Sequence, residues 1–301
     1  MATPLYNRSV YSLLSSMLTP KSIVLKCKEY GYKSAALVDR NVLSGAMSFK
    51  KECEKAEIKP IYGLSVDVEI DDRIHEVILY ARNDDGYRNL MGLSSRIGIS
   101  DKKTIDVDTL NRYRGDNFLV LVSDDMPLTY YVDRKMDLEE AYKRQSELFG
   151  DDYLVAMADH DIALNLYRDR ELKPFLKGKG IKTIALSRSY YSEKNDYEEY
   201  EVLKCIRDKR VLLDGSGENE TGRHFKSIEE YQELYDSDDL KNTDLLSSMC
   251  NVDMYFKTSL PEYKAKADVS PKDYLVSLCK EGLKRRLKGK EDIEYTKILD
   301  Y

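Results

Sequence analysis

Ile23, Val24, Cys27 and Tyr30 recur at helical spacing behind Thr19-Pro20, an N-cap followed by proline at the first helical position, and Gly31 ends the run. Ala35-Ala36-Leu37-Val38 then reads as a short buried strand ending at Asp39. Ala46, Phe49, Cys53 and Ala56 predict a second helix. A strand follows from Ile61 through Ile70, where Val66, Val68 and Ile70 alternate with polar residues. Asp71-Asp72 turns the chain back into a hairpin strand from Ile74 to Ala81. Further β-type runs lie at 118–122, 153–157 and 183–186, with helices predicted around 86–97, 138–149 and 164–177. Repeated strand-helix units of this kind define an α/β chain with a mostly parallel sheet or a barrel, in which functional groups gather at the C-terminal ends of strands. Asp39, Ser123, the Asp159-His160 pair and Arg188 fall at or just past such ends, and Ser65 falls inside its strand.

From about residue 196 the pattern changes to helix and loop. Ser227 with Glu230 forms a capping box, and Ser270-Pro271 opens a helix whose expected apolar face runs Tyr274, Leu275, Leu278, Leu283 and Leu287. Gly215 to Gly222 is a polar surface loop, since its glycines have neither a strand before them nor a helix N-terminus directly after them.

Composition narrows the function classes. The 301 residues carry 42% hydrophobic and 34% charged side chains, enough apolar material for one large domain or two smaller ones. A net charge of −6 gives no bulk attraction to nucleic acid or anionic lipid, so any polyanion site must be local. No run approaches a membrane span, and Met1-Ala2-Thr3-Pro4-Leu5 lacks a signal-peptide layout, so the chain reads as cytosolic. Cys27, Cys53, Cys205, Cys250 and Cys279 are odd in number, form no Cys-x-x-Cys pair, and read as reduced core residues.

Histidine is scarce, with only His75, His160 and His224, and neither a nucleophile elbow nor a phosphate-binding loop is present. Asp159-His160 is the one local pair that suggests acid-base or metal work; taken by itself it reads first as a surface or capping pair. The basic run from Lys284 to Lys290 reads as a solvated helix end complementing the helix dipole, with phosphate binding as the alternative.

The order of short blocks along the chain is more telling. Ser9-Val10-Tyr11-Ser12-Leu13-Leu14, Ala36-Leu37-Val38-Asp39, Ile58-Lys59-Pro60-Ile61-Tyr62-Gly63, Gly86-Tyr87-Arg88-Asn89-Leu90-Met91, Phe225-Lys226-Ser227-Ile228, Cys250-Asn251-Val252 and Gly282-Leu283-Lys284-Arg285-Arg286 stand in sequence. Together they resemble the polymerase and histidinol phosphatase (PHP) domain that begins the α subunit of bacterial DNA polymerase III. The resemblance implies a distorted (β/α)7 PHP barrel over residues 1–268 and, over 269–301, a helical connector toward a polymerase palm that lies beyond this chain.

Active relatives bind two or three metal ions through His, Asp and Glu at strand ends. Where the family has His-x-His-Ser, this chain has Tyr6-Asn7-Arg8-Ser9, and the acidic residue that often follows the Tyr-Ser-Leu-Leu run is Ser15. Thr-Asp-His-Gly is replaced by Val38-Asp39-Arg40-Asn41, and the glutamate after Ile-Lys-Pro-Ile-x-Gly is Ser65. Asn-Asp-x-His becomes Ser187-Arg188-Ser189-Tyr190, while His160 and His75 resemble family histidines. The resulting cleft is expected to comprise Tyr6, Arg8, Ser15, Asp39, Arg40, Ser65, His75, His160, Arg188 and Tyr190, without a catalytic or metal-ligating set.

Arginine cannot donate a lone pair to a metal. One guanidinium ~4 Å from a dication also repels it by about 8 kcal/mol at an effective dielectric near 20. Asp39 and His160 are expected to pair with the arginines instead. The arginine cluster then reads either as a salt-bridged filling of an obsolete site or as an anion pocket for phosphate or a DNA end.

The resemblance further implies a scaffold role with no cofactor in this piece, and Mg²⁺ held by the parent's palm. Its implied partners are the palm and thumb of the same polymerase, primer-template DNA through that parent, and in some bacteria a proofreading exonuclease; no membrane is implied. The rival reading is a residual metal-dependent phosphoesterase or 3′–5′ exonuclease using Asp39, His75 and His160.

Overall fold

The computed structural model describes residues 3–158, 168–212, 221–254, 263 and 269–288. The chain divides into two compact units, residues 1–254 and 255–301. The first opens with β1 (Tyr6–Asn7), α1 (Pro20–Glu29), β2 (Ser34–Arg40), α2 (Ala46–Ala56), β3 (Lys59–Ile70), β4 (Arg73–Ala81) and α3 (Asp84–Ile99). It continues through β5 (Thr104–Ile105), α4 (Val107–Arg114), β6 (Asn117–Val122), α5 (Pro127–Asp133), α6 (Leu138–Phe149) and β7 (Leu154–Met157). After a π-helical turn at Arg168–Leu172 come α7 (Lys173–Gly178), β8 (Thr183–Ala185), β9 (Arg188–Ser189), α8 (Tyr197–Asp208), α9 (Ile228–Leu234) and α10 (Ser237–Met249). The second unit contains α11 (Pro271–Arg286).

One sheet runs β2-β3-β4-β6-β7-β8, with β5 appended to β3, and β1 pairs separately with β9. The β2-β3, β6-β7 and β7-β8 pairs are parallel, and β4 is antiparallel to both neighbours. The hairpin that places β4 turns at Asp71 and Asp72, both at positive φ, a conformation that short polar side chains tolerate. Tyr6 pairs with Arg188 and Asn7 with Ser189. Backbone Ala36 N donates to Pro4 O at 3.1 Å, and Asn7 Nδ2 donates to Ala36 O at 2.8 Å, which ties the small sheet to β2. The sheet curls as the sequence implied.

Side-chain alternation splits the core in two. Ala36, Val38, Ile61, Ile78, Tyr80, Val120, Ala156 and Ile184 pack together inside the curl. Leu37, Leu64, Val66, Val77, Leu79, Leu121, Val155 and Ala185 pack outward against the helices. This period-two parity decides which polar residues near the C-terminal ends of the parallel strands face inward.

The helices start where the sequence placed their caps. Thr19 and Ser22 form a reciprocal capping box behind Pro20, and Ser227 and Glu230 form another. Two expectations need correction. Cys279 is exposed and Cys205 is half-buried, so only Cys27, Cys53 and Cys250 are core thiols. The α11 face expected to be apolar buries no residue, and Leu275 and Leu278 are exposed.

Candidate functional site: an arginine and carboxylate cluster at the strand ends

Glu76 is the centre of the site. It lies on β4 with the parity of Ile78 and Tyr80, so it points into the curl, opposite Asp67 in the β3–β4 register. Its Oε1 accepts from Ser65 Oγ at 2.5 Å, from Tyr6 Oη at 2.5 Å and from Arg8 at 2.8 Å. Its Oε2 faces Arg188 at 3.4 Å. Arg188 also grips Asp124, just past β6, in a two-pronged pair at 2.6 and 3.1 Å, and all these side chains are at least 86% buried, Glu76 being the most open at 14% exposure. Arg8 additionally donates to Tyr6 Oη and stands 5.1 Å from the centre of the Tyr190 ring. Tyr190 in turn meets Tyr6 edge-to-face with ring centres 6.4 Å apart.

Each pair brings segments distant in sequence to one point: Arg8 follows β1, Ser65 sits on β3, Glu76 on β4, Asp124 follows β6, and Arg188 lies on β9. Burial alone would push the Glu76 carboxyl up; the positive charges of Arg8 and Arg188 and the hydrogen bonds from Ser65 and Tyr6 outweigh it and hold the carboxyl near 2. Burial also opposes the charge on both arginines, yet Arg8 is pushed above its ordinary value by Tyr6, Tyr190 and Glu76, and Arg188 by Asp124 and Glu76. Glu76, Arg8 and Arg188 are thus held ionised.

Tyr6, Arg8, Ser65, Arg188 and Tyr190, five of the residues named from the sequence, lie together here. Arg40 does not enter the buried cluster. It shares the inward parity of Val38 but sits at the strand end, where Nε and Nη2 pair with Asp67 at 2.9 and 2.6 Å and the side chain is 47% exposed. The expected pairing of Asp39 with the arginines is also corrected. Asp39 has the opposite parity, with Leu37, and accepts from Ser9 N at 2.8 Å, Ser9 Oγ at 2.8 Å and Ser12 Oγ at 2.6 Å.

His75 points to the outer layer, one residue out of phase with Glu76. Its Nδ1 donates to Asp125 O at 2.6 Å and its ring meets Tyr130 edge-on. Burial lowers its pKa, partly countered by Asp125, so the ring is neutral near pH 7. Ser15 turns its hydroxyl back to Leu13 O. Asp159 and His160 lie outside the described residues, as does most of the polar loop at 215–222.

Sequence reasoning missed Glu76, Asp124 and Asp67. A signal existed: Asp124 stands two residues past the 118–122 run, and arginines expected inside a fold demand carboxylates. Among the described residues no group of three or more His, Cys, Asp or Glu side chains is arranged to hold a metal ion.

Comparison with known proteins adds the following. The PHP domain family matches residues 5–160, just over half of the chain. The DNA polymerase III subunit alpha of Bacillus subtilis is 28% identical over 305 residues, covering 97% of this chain and 27% of its own length. That of Aquifex aeolicus is 27% identical over 337 residues, covering 99% and 29%. The chain thus spans about a quarter of the length of these curated relatives. Among solved structures, a metal-dependent phosphoesterase from Bifidobacterium adolescentis aligns with a TM-score of 0.45 and 10% identity over 77% of this chain and 94% of its own. An amidohydrolase from Chromobacterium violaceum gives a TM-score of 0.42 and 11% identity over 67% and 97%.

Proposed function

The chain belongs to the PHP domain family, and on that premise we propose that it serves as the non-catalytic N-terminal framework of a bacterial DNA polymerase III α subunit. The similarity to such subunits along nearly the whole chain supports this placement. On this reading the partners are the palm and thumb of the same polypeptide, primer-template DNA reaches the domain only through that parent, and the location is the cytoplasm. Mg²⁺ belongs to the palm. A proofreading exonuclease is the further partner that such a framework would dock.

One observation carries the non-catalytic reading: the inward-facing carboxylates are already committed to cations and hydroxyls. Glu76 is shared by Arg8, Arg188, Tyr6 and Ser65; Asp124 holds Arg188; and Asp67 holds Arg40. A dication needs several lone pairs in one place, and here guanidiniums stand where such an ion would approach those oxygens. The residues present do not fit the metal ions of active relatives.

The same balance favours filling over anion capture. Three guanidiniums face three carboxylates in this group, so it carries no surplus positive charge for a phosphate. The ion pairs instead join β1, β3, β4, β9 and the end of β6, the task that shared metal ligands perform in an occupied site.

Elemental analysis of the purified chain tests the reading. We expect less than a tenth of an equivalent of manganese, zinc or iron and no hydrolysis of bis-p-nitrophenyl phosphate when manganese is added. Stoichiometric metal, together with hydrolysis lost in Glu76→Gln or His160→Ala, would establish a phosphoesterase instead.

A further inference from the structure

A cavity of about 290 Å³ opens at the other end of the strands from the Glu76 cluster. It lies where β6, β7 and β8 begin and where α10 passes, with Phe118, Leu246 and Met249 as apolar lining and Arg82, Lys182 and Asn242 as polar lining. β6 separates it from Asp124 by six residues, about 20 Å of strand.

Its electrostatics are unbalanced. The Arg82 guanidinium lies 4.0 Å over the Phe118 ring, its Nε is buried without a hydrogen-bond partner, and it makes no ion pair among the described residues. Lys182 is exposed and likewise has no carboxylate partner there. Two acids also line the cavity: Asp152 faces Arg114 at 3.5 Å, and Asp151 accepts only from the neutral Tyr142 Oη at 3.2 Å, so Arg82, Lys182 and Arg114 stand against two carboxylates and leave one positive charge in surplus. Two cations without a carboxylate partner among the described residues therefore border an apolar floor, one of them stacked on the Phe118 ring.

We propose that this cavity binds a small aromatic phosphate, with the anion held by Arg82 and Lys182 and the ring packed on Phe118, Leu246 and Met249. Two separate cations suit a dianion better than a carboxylate. A volume at the lower end of ligand pockets suits a compound of one ring. The apolar floor supplies burial, and the rim supplies orientation.

The test is a titration of the full chain with phenylphosphonate, which is not hydrolysed at its carbon–phosphorus bond, followed by methyl NMR of the methionines. Saturable binding that shifts Met249 is expected, weakened roughly tenfold or more in Arg82→Gln and in Lys182→Gln. Inorganic phosphate and benzyl alcohol, each lacking one half of the probe, are expected to bind at least roughly tenfold more weakly. Absence of saturation, equal affinity for either half-probe, or affinity unchanged in both variants would overturn the proposal. Arg82 contributes to the fold through its backbone, which donates to Asp116 O and accepts from Asn251 N, so the glutamine variant keeps those bonds. Lys182→Gln, at an exposed position, gives an independent readout should Arg82→Gln fail to fold. Neither variant touches the Glu76 cluster, so failure here leaves the framework reading standing.

Discussion

Glu76 holds two guanidiniums, and its replacement would leave both short of a counter-charge. Removing one partner of a buried ion pair costs about 3 to 5 kcal/mol, so Glu76→Gln is expected to lower the unfolding free energy by about that amount in urea titrations at pH 7. The carboxyl titrates near 2 when folded, against an ordinary value of 4.5. Its stabilising contribution is therefore complete above about 4.5 and is lost as the pH falls toward about 2, roughly 3 kcal/mol in all. Glu76→Gln should lack that part of the acid limb, and the two stability curves should converge as the pH approaches 2. His75 offers the contrast, because its ring is on the other side of β4: His75→Gln should leave the part of the acid limb between about 4.5 and 2 intact and alter only the part that begins as the pH falls below about 6.5, where the buried ring must take up a proton. The residue scale is also where the sequence was least sufficient. Arg8 and Arg188 were legible from the motifs they replaced, but their counter-ions come from β4 and the loop after β6. Asp39 and His75 fall outside the expected cleft through strand parity, since one step along a strand reverses the face to which a side chain points.

At the scale of elements, periodicity served well where one face was apolar and the other was not. The helices at α1, α2, α3 and α6 and the strands β2, β3, β4, β6, β7 and β8 fall where hydrophobic spacing placed them. The strands β1 and β9 were not legible, since two residues each carry no period, and β9 follows β8 with only Leu186 and Ser187 between them. Helix α3 illustrates a constraint that a motif can carry without chemistry. Gly86, in its first turn, stands so close to the approach to β6 that a Cβ there would lie 2.2 Å from Asp116 O and 2.8 Å from Asn117 Oδ1. The first of these is backbone and cannot yield without moving the strand. Gly86→Ala is therefore expected to cost about 2 kcal/mol or more, read as a lowered thermal midpoint, although alanine is the better helix former.

At the scale of the whole molecule, the curled sheet places four ion pairs on its inner side and at its rim, at one end, and an unbalanced cavity at the other. Among the described residues no helix is long and apolar enough to cross a membrane. The chain matches only about a quarter of the length of its polymerase relatives, and the framework reading assigns nucleotide transfer to the rest. Purified alone, it is expected to show no primer extension with Mg²⁺ and deoxynucleoside triphosphates in a gel assay that detects one added nucleotide; extension would refute that assignment.

The parallel pairing of β1 with β9 sets a condition on how the molecule is made. Residues 6–7 leave the ribosome early and must wait for residues 188–189 before their ladder can close. Until then Arg8 lacks Arg188 and its shared glutamate arrangement, and the nascent barrel has an unsealed flank. That flank can close only after residue 189 has been made, so amide exchange at Arg8, whose N–H is bound to Ser189 O, reports its opening directly in the finished protein.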